Sequence, residues 1–85
     1  MASRQKLLER LLAGSYNLSF REFLWLLEGF GFVADRIRGS HHIFIHPATR
    51  ELLSVQPRKD GKAKPYQVRQ FLKLVEEYDL ELDEE

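Results

Sequence analysis

An α+β fold is predicted for this 85-residue chain, in the order α-β-β-β-α with a three-stranded antiparallel sheet and an extra short N-terminal helix. Three observations predict it. Apolar residues recur at helical spacing near both ends, short β-rich runs fill the middle, and turn residues separate those runs too closely for parallel crossovers. A chain of this length builds one domain around one modest core. With 44% apolar residues it has enough to fold unaided, and with no cysteine it has neither a disulfide nor a thiolate metal site.

In residues 4–13, Leu7, Leu8, Leu11 and Leu12 form the apolar stripe of a short leading helix, broken by residues 14–17. Ser19-Phe20-Arg21-Glu22 reads as a capping box, which starts a second helix with Phe20, Phe23, Leu24 and Leu27 on one face. Gly29 or Gly31 supplies its left-handed cap. Trp25 lies off the stripe, as flanking core or as a contact surface. Strands are expected over 32–38, with Val33 and Ile37 on one face, over 41–46, ended by Pro47, and over 52–56, ended by Pro57. Residues 47–50 make the connecting hairpin, and 57–64 form a basic loop rich in turn residues. Pro65 suits the first position of a last helix, buried through Val68, Phe71, Leu72 and Val75. Three divisions follow: a helical extension over 1–17, the main domain over 18–80 and a frayed acidic tail over 81–85. The layout resembles that of double-stranded-RNA-binding domains.

The zero net charge hides a division. All thirteen Lys and Arg lie before residue 76 beside only six acids, a net of +7, while seven acids crowd the last ten residues. A basic body favours a polyanionic partner; the plainer reading is a solvated surface. No apolar run reaches the ~20 residues of a membrane span. The leucines near the N-terminus are interleaved with charges, unlike a secretory leader. A cytoplasmic protein without membrane contact is expected.

The most informative stretch is Gly39-Ser40-His41-His42-Ile43-Phe44-Ile45-His46. Histidine exchanges protons near neutral pH, and Arg36 and Arg38 just before the Gly-Ser turn suit a phosphate. Alternation puts His41, Ile43 and Ile45 on one face and His42, Phe44 and His46 on the other. Phe44 marks the core side, so His41 points to the open face, where Ile43 and Ile45 suit a protein partner. His42 reads as a half-buried ring satisfied by backbone, and His46 as a ring bonded locally at the strand end. A metal site is not expected: His42 and His46 lie about 13 Å apart along a straight strand, whereas zinc needs nitrogens about 2.0 Å from one centre.

Gly31-Phe32, Arg36, Gly39-Ser40-His41-His42-x-Phe44-x-His46-Pro47, Ser54-Val55-x-Pro57 and Val68-Arg69-x-Phe71-Leu72-Lys73 together resemble the HicA toxin family over residues 20–78. The resemblance implies the toxin half of a bacterial HicA–HicB pair, a metal-independent mRNA endoribonuclease without cofactor, masked by a HicB-type antitoxin. It also implies that the catalytic histidine is His41, with His42 as second candidate because some members carry theirs one place later. Gly39 and Ser40 would shape the turn, and Arg36, Arg38, Arg58, Lys59, Lys62 and Lys64 would bind RNA. The chain departs from the family's pattern in its leading helix, in Tyr66-Gln67 where Gly-Thr is common, and in its acidic tail, which would weaken RNA affinity or fold over the basic face. The second proton carrier is left open among Tyr66, a lysine and water. Two rival readings use the same fold: a module that holds RNA without cutting it, and a protein-interaction domain using Ile43, Ile45 and Trp25.

Overall fold

The structure, a computed structural model, describes residues 3–83. Its elements are α1 (Arg4–Leu12), α2 (Phe20–Gly29), β1 (Val33–Arg38), β2 (His41–Ile45), β3 (Leu52–Val55) and α3 (Pro65–Glu77). The order is the expected α-β-β-β-α behind a leading helix, and the strands form an antiparallel meander β1-β2-β3.

Local chemistry explains the boundaries. Ser3 accepts the Lys6 N–H and caps α1. Ser19 accepts the Glu22 N–H at 3.0 Å while Glu22 accepts the Ser19 N–H at 2.9 Å, so the capping box at α2 is complete in both directions. Of the two glycines expected to end α2, Gly31 takes the left-handed position with φ +95°. Its N–H reaches the Glu28 carbonyl and the Phe32 N–H reaches Leu27, a Schellman ending. Gly29 stays helical. Helix α3 starts on Pro65 and closes the same way, with Asp79 in the left-handed position and the Leu80 N–H on the Val75 carbonyl.

The core lies between the helices and one face of β2 and β3. Phe44, Leu53 and Val55 alternate inward to meet Phe23, Leu26, Leu27, Val68 and Phe71, all buried. Phe71 is fully buried, and Phe23, Phe30 and Phe32 set their rings edge-on around it at 5.3–6.2 Å. Leu7 and Leu11 of α1 join this same core. The Arg4 guanidinium lies 4.8 Å over the Trp25 ring, and Arg4 Nε–H donates to the Trp25 carbonyl. Trp25 is therefore flanking core, partly buried and in contact with Arg4 of the leading helix. No helix among the described residues is long and apolar enough to cross a membrane.

One expectation needs correction. Val33 and Ile37 do not share a face, because a bulge between Ala34 and Arg36 leaves Asp35 unpaired and resets the alternation. Val33 pairs with Ile45 on the open face, whereas Ile37 pairs with His42 on the helix side. Residues 80–83 lie on the body of the fold. Leu80 and Leu82 pack on the core, and the Asp83 N–H donates to the Gly29 carbonyl at 2.8 Å. Apolar contacts alternating with acids hold this segment beside α1 and α2. Glu84 and Glu85, the rest of the expected frayed tail, lie outside the described residues, as do Met1 and Ala2.

Candidate functional site

The β1–β2 connection is a two-residue hairpin. Arg38 pairs with His41, and Gly39 enters the turn at φ +59°. A positive φ at the first central residue only is the type II′ pattern, whose twist suits antiparallel strands and which favours glycine there. A Cβ on Gly39 would meet nothing within 4 Å, so the demand for glycine is conformational and the space above the turn is open.

Past this turn the two histidines part. His41 is exposed on the uncovered face, in the row of Arg38, and next to it Arg36 pairs with Ile43. Arg36 Nη1 lies 3.0 Å from Asp35 Oδ2, an exposed pair of little energy that an incoming anion can displace. Arg38 makes no ion pair among the described residues. His42 faces the helices, half-buried, with its ring edge-on to Phe20 at 5.0 Å. Among the described residues no backbone group bonds the His42 ring, contrary to expectation. Its neighbour is an aromatic ring because the first turn of α2, and no strand carbonyl, covers that side.

His46 is bonded locally as expected, and across the fold as well. The Ala48 N–H donates to Nδ1 at 3.3 Å, which leaves Nε2 to carry the proton it shares with the Phe30 carbonyl at 3.1 Å. The ring is buried against Phe32. His46 therefore joins α2 to the β2–β3 turn. Among the described residues no group of three His, Cys, Asp or Glu side chains is placed to hold a metal ion.

The basic loop is a docked turn. Pro57 pairs with Ala63, the Arg58 N–H reaches the Lys62 carbonyl, and Gly61 turns the chain. The turn is fastened to the entry of α2: Phe20 N–H donates to the Gly61 carbonyl at 2.9 Å and Ala63 N–H to the Leu18 carbonyl at 3.1 Å. Because Val55 pairs with His42, β3 leaves the sheet at the same end as the Gly39-Ser40 turn. That end collects His41, His42, Arg38 and the loop cations. Arg36, Arg38 and His41 stand on the open face, whereas the turn that carries Arg58, Lys59 and Lys62 is joined through its backbone to the entry of α2. Arg58 pairs with Asp60 at 3.0 Å and Lys62 Nζ donates to Asn17 Oδ1 at 2.6 Å, while Lys59 stands exposed.

Sequence reasoning missed Phe20 as the neighbour of His42, Asn17 as the partner of Lys62, and Gln67. Gln67 is 5% exposed, and its Oε1 accepts the Gln56 N–H at 3.1 Å, tying α3 to the end of β3. Nothing in the local pattern announces these contacts, which join segments far apart in the chain.

The open sheet face beside His41 is apolar further along. Val33, Ile45 and Leu52 stand in one cross-strand row, and Ile43 stands in the next. Val33 is 50% and Leu52 53% exposed.

A family model described as "HicA toxin of bacterial toxin-antitoxin" matches residues 20–76, more than half of the chain. No curated protein and no solved structure matches it.

Proposed function

The chain belongs to the HicA toxin family of bacterial toxin–antitoxin systems, and on that premise we propose that it is a cytoplasmic endoribonuclease that cuts mRNA without a metal. The observation that carries this reading is the exposed imidazole of His41 on an uncovered sheet face, in register with Arg38 and one row from Arg36.

The chemistry follows from the RNA itself. The 2′-oxygen attacks the adjacent phosphorus, the bond from phosphorus to the 5′-oxygen breaks, and a 2′,3′-cyclic phosphate and a 5′-hydroxyl result. His41 takes the proton of the 2′-hydroxyl as general base, and water supplies the proton to the leaving oxygen. A positioned acid or base of this kind contributes on the order of 10²–10⁴-fold. Arg36 and Arg38 hold the phosphate and offset its developing charge. Arg58, Lys59, Lys62 and Lys64 bind the strand where it passes the end of the sheet, and Gly39 and Ser40 leave the approach open. DNA lacks the attacking hydroxyl and is not cut. A HicB-type antitoxin neutralises the toxin by covering Val33, Ile43, Ile45 and Leu52, which takes His41 out of reach.

Purified protein is incubated with labelled mRNA in the presence of a chelator. Fragments ending in a cyclic phosphate are expected. Intact RNA with a salt-sensitive mobility shift overturns the nuclease reading in favour of a binding module. That second reading draws on the two imidazoles facing opposite sides of the strand, which leaves one face without a paired acid and base.

A further inference from the structure

We infer that the face of the Tyr66 ring is a seat for an unpaired nucleobase, so that the RNA taken by this chain is single-stranded where it passes the start of α3. This deepens the ribonuclease reading and rests on it for the kind of polymer.

Tyr66 is the second residue of α3 and 56% exposed, a large aromatic left in water while Phe71 of the same helix is fully buried. The ring has one side-chain hydrogen bond. Its hydroxyl oxygen lies 3.3 Å from Gln67 Nε2, and Gln67 is itself anchored by the Gln56 N–H at 3.1 Å. A backbone N–H can only donate, so Oε1 of Gln67 faces Gln56 and Nε2 faces Tyr66. The phenolic oxygen therefore accepts, and its own hydrogen remains to donate to a ligand.

The surroundings set the class of ligand. From Leu52 to Val75 the sole acid is Asp60, against Arg58, Lys59, Lys62, Lys64, Arg69 and Lys73. Lys64 precedes Tyr66 by two residues and Arg69 follows it by one helical turn, and a flat apolar face beside cations suits a polyanion that carries flat rings, as proteins that bind single strands do by stacking bases on aromatic side chains. In an RNA duplex the base faces are stacked on one another and only edges and 2′-hydroxyls are offered, so the ring would find no partner there. Through Gln67 and Gln56 the ring is also tied to the strand that pairs with the histidine strand, at the end where His41 and His42 stand.

The test uses fluorescein-labelled RNA with 2′-O-methyl groups, which cannot be cut, as a single strand and as a duplex, with affinity read by anisotropy. Tyr66→Leu is expected to weaken single-strand binding about 5- to 150-fold, the range of one stacked base. Tyr66→Phe, which keeps the face and loses the hydroxyl, should weaken binding by no more than about tenfold and by less than Tyr66→Leu. Tyr66→Trp should bind at least as tightly as the parent, and duplex affinity should not change. Equal single-strand affinity of parent and Tyr66→Leu, or an equal loss on duplex, overturns the base seat and leaves the nuclease reading standing. A parent that stacks RNA on Tyr66 but leaves ordinary mRNA uncut overturns the nuclease reading alone. A parent that binds no RNA overturns both. Thermal unfolding of each variant checks the fold, and a Tyr66→Trp variant that loses single-strand binding while folded also refutes the seat.

Discussion

Replacing Gly31 with alanine separates two reasons for a glycine. Gly31 and Gly14 both sit at φ +95°, yet a Cβ at Gly14 would meet nothing within 4 Å, whereas one at Gly31 would stand 3.0 Å from His46 Nε2. Backbone strain is therefore common to both substitutions, at about 1–2 kcal/mol. Only Gly31→Ala also pushes the His46 ring off the Phe30 carbonyl, 3.1 Å away, and loosens its grip on the Ala48 N–H. Disturbing a buried bond of this kind costs about 1–3 kcal/mol. Gly14→Ala should thus lose about 1–2 kcal/mol and Gly31→Ala about 2–5 kcal/mol, out of a total of roughly 4–13 kcal/mol for a domain of this size. Urea denaturation of the three proteins measures this, with equal slopes expected and the midpoint lowest for Gly31→Ala. If the two variants agree within about 0.5 kcal/mol, the limit set for unremarkable substitutions, the contact with His46 carries no energy and the argument fails. Success would make Gly31 and His46 one structural unit, and the folded fraction of either variant should then keep its activity on RNA.

Two further predictions concern the site and the tail. His41 is exposed and makes no side-chain hydrogen bond among the described residues, so His41→Ala should leave the unfolding midpoint within about 0.5 kcal/mol of the parent and lower RNA cleavage about 10²–10⁴-fold. Parental cleavage by this variant, with loss in His42→Ala, would move the general base to the helix side of the strand. Tyr78 donates its hydroxyl to Glu51 Oε2 at 2.8 Å, and this bond, with the nearby carboxylate charges, raises the phenol above its usual range. A raised folded value adds stability that is fully present below the unfolded tyrosine pKa of about 10 and is lost as pH rises through the folded one. The midpoint difference between Tyr78→Phe and the parent should therefore be seen at pH 7 and shrink above pH ~10; a difference that grows with alkaline pH would contradict the assignment.

Much of the fold was legible because its signals are local. The capping box at Ser19 and Glu22, the proline that opens α3 and the Gly39-Ser40 turn each act within a few residues. The alternation of β2 was read correctly for the same reason, since side chains in an unbroken strand must alternate. The β1 faces were misread because one unpaired residue at Asp35 shifts everything after it, and nothing in the composition marks a bulge.

By itself, then, the amino-acid order determined which segments become helix and strand, and that His41 and His42 point apart, because backbone geometry and hydrophobic periodicity act at short range. Only the tertiary structure decided what surrounds each histidine. It set Phe20 against His42, docked the cationic turn on residues 18–20, and joined Asp83 to Gly29. These contacts join segments far apart in the chain, and their positions follow from how the whole core packs, which no local pattern encodes.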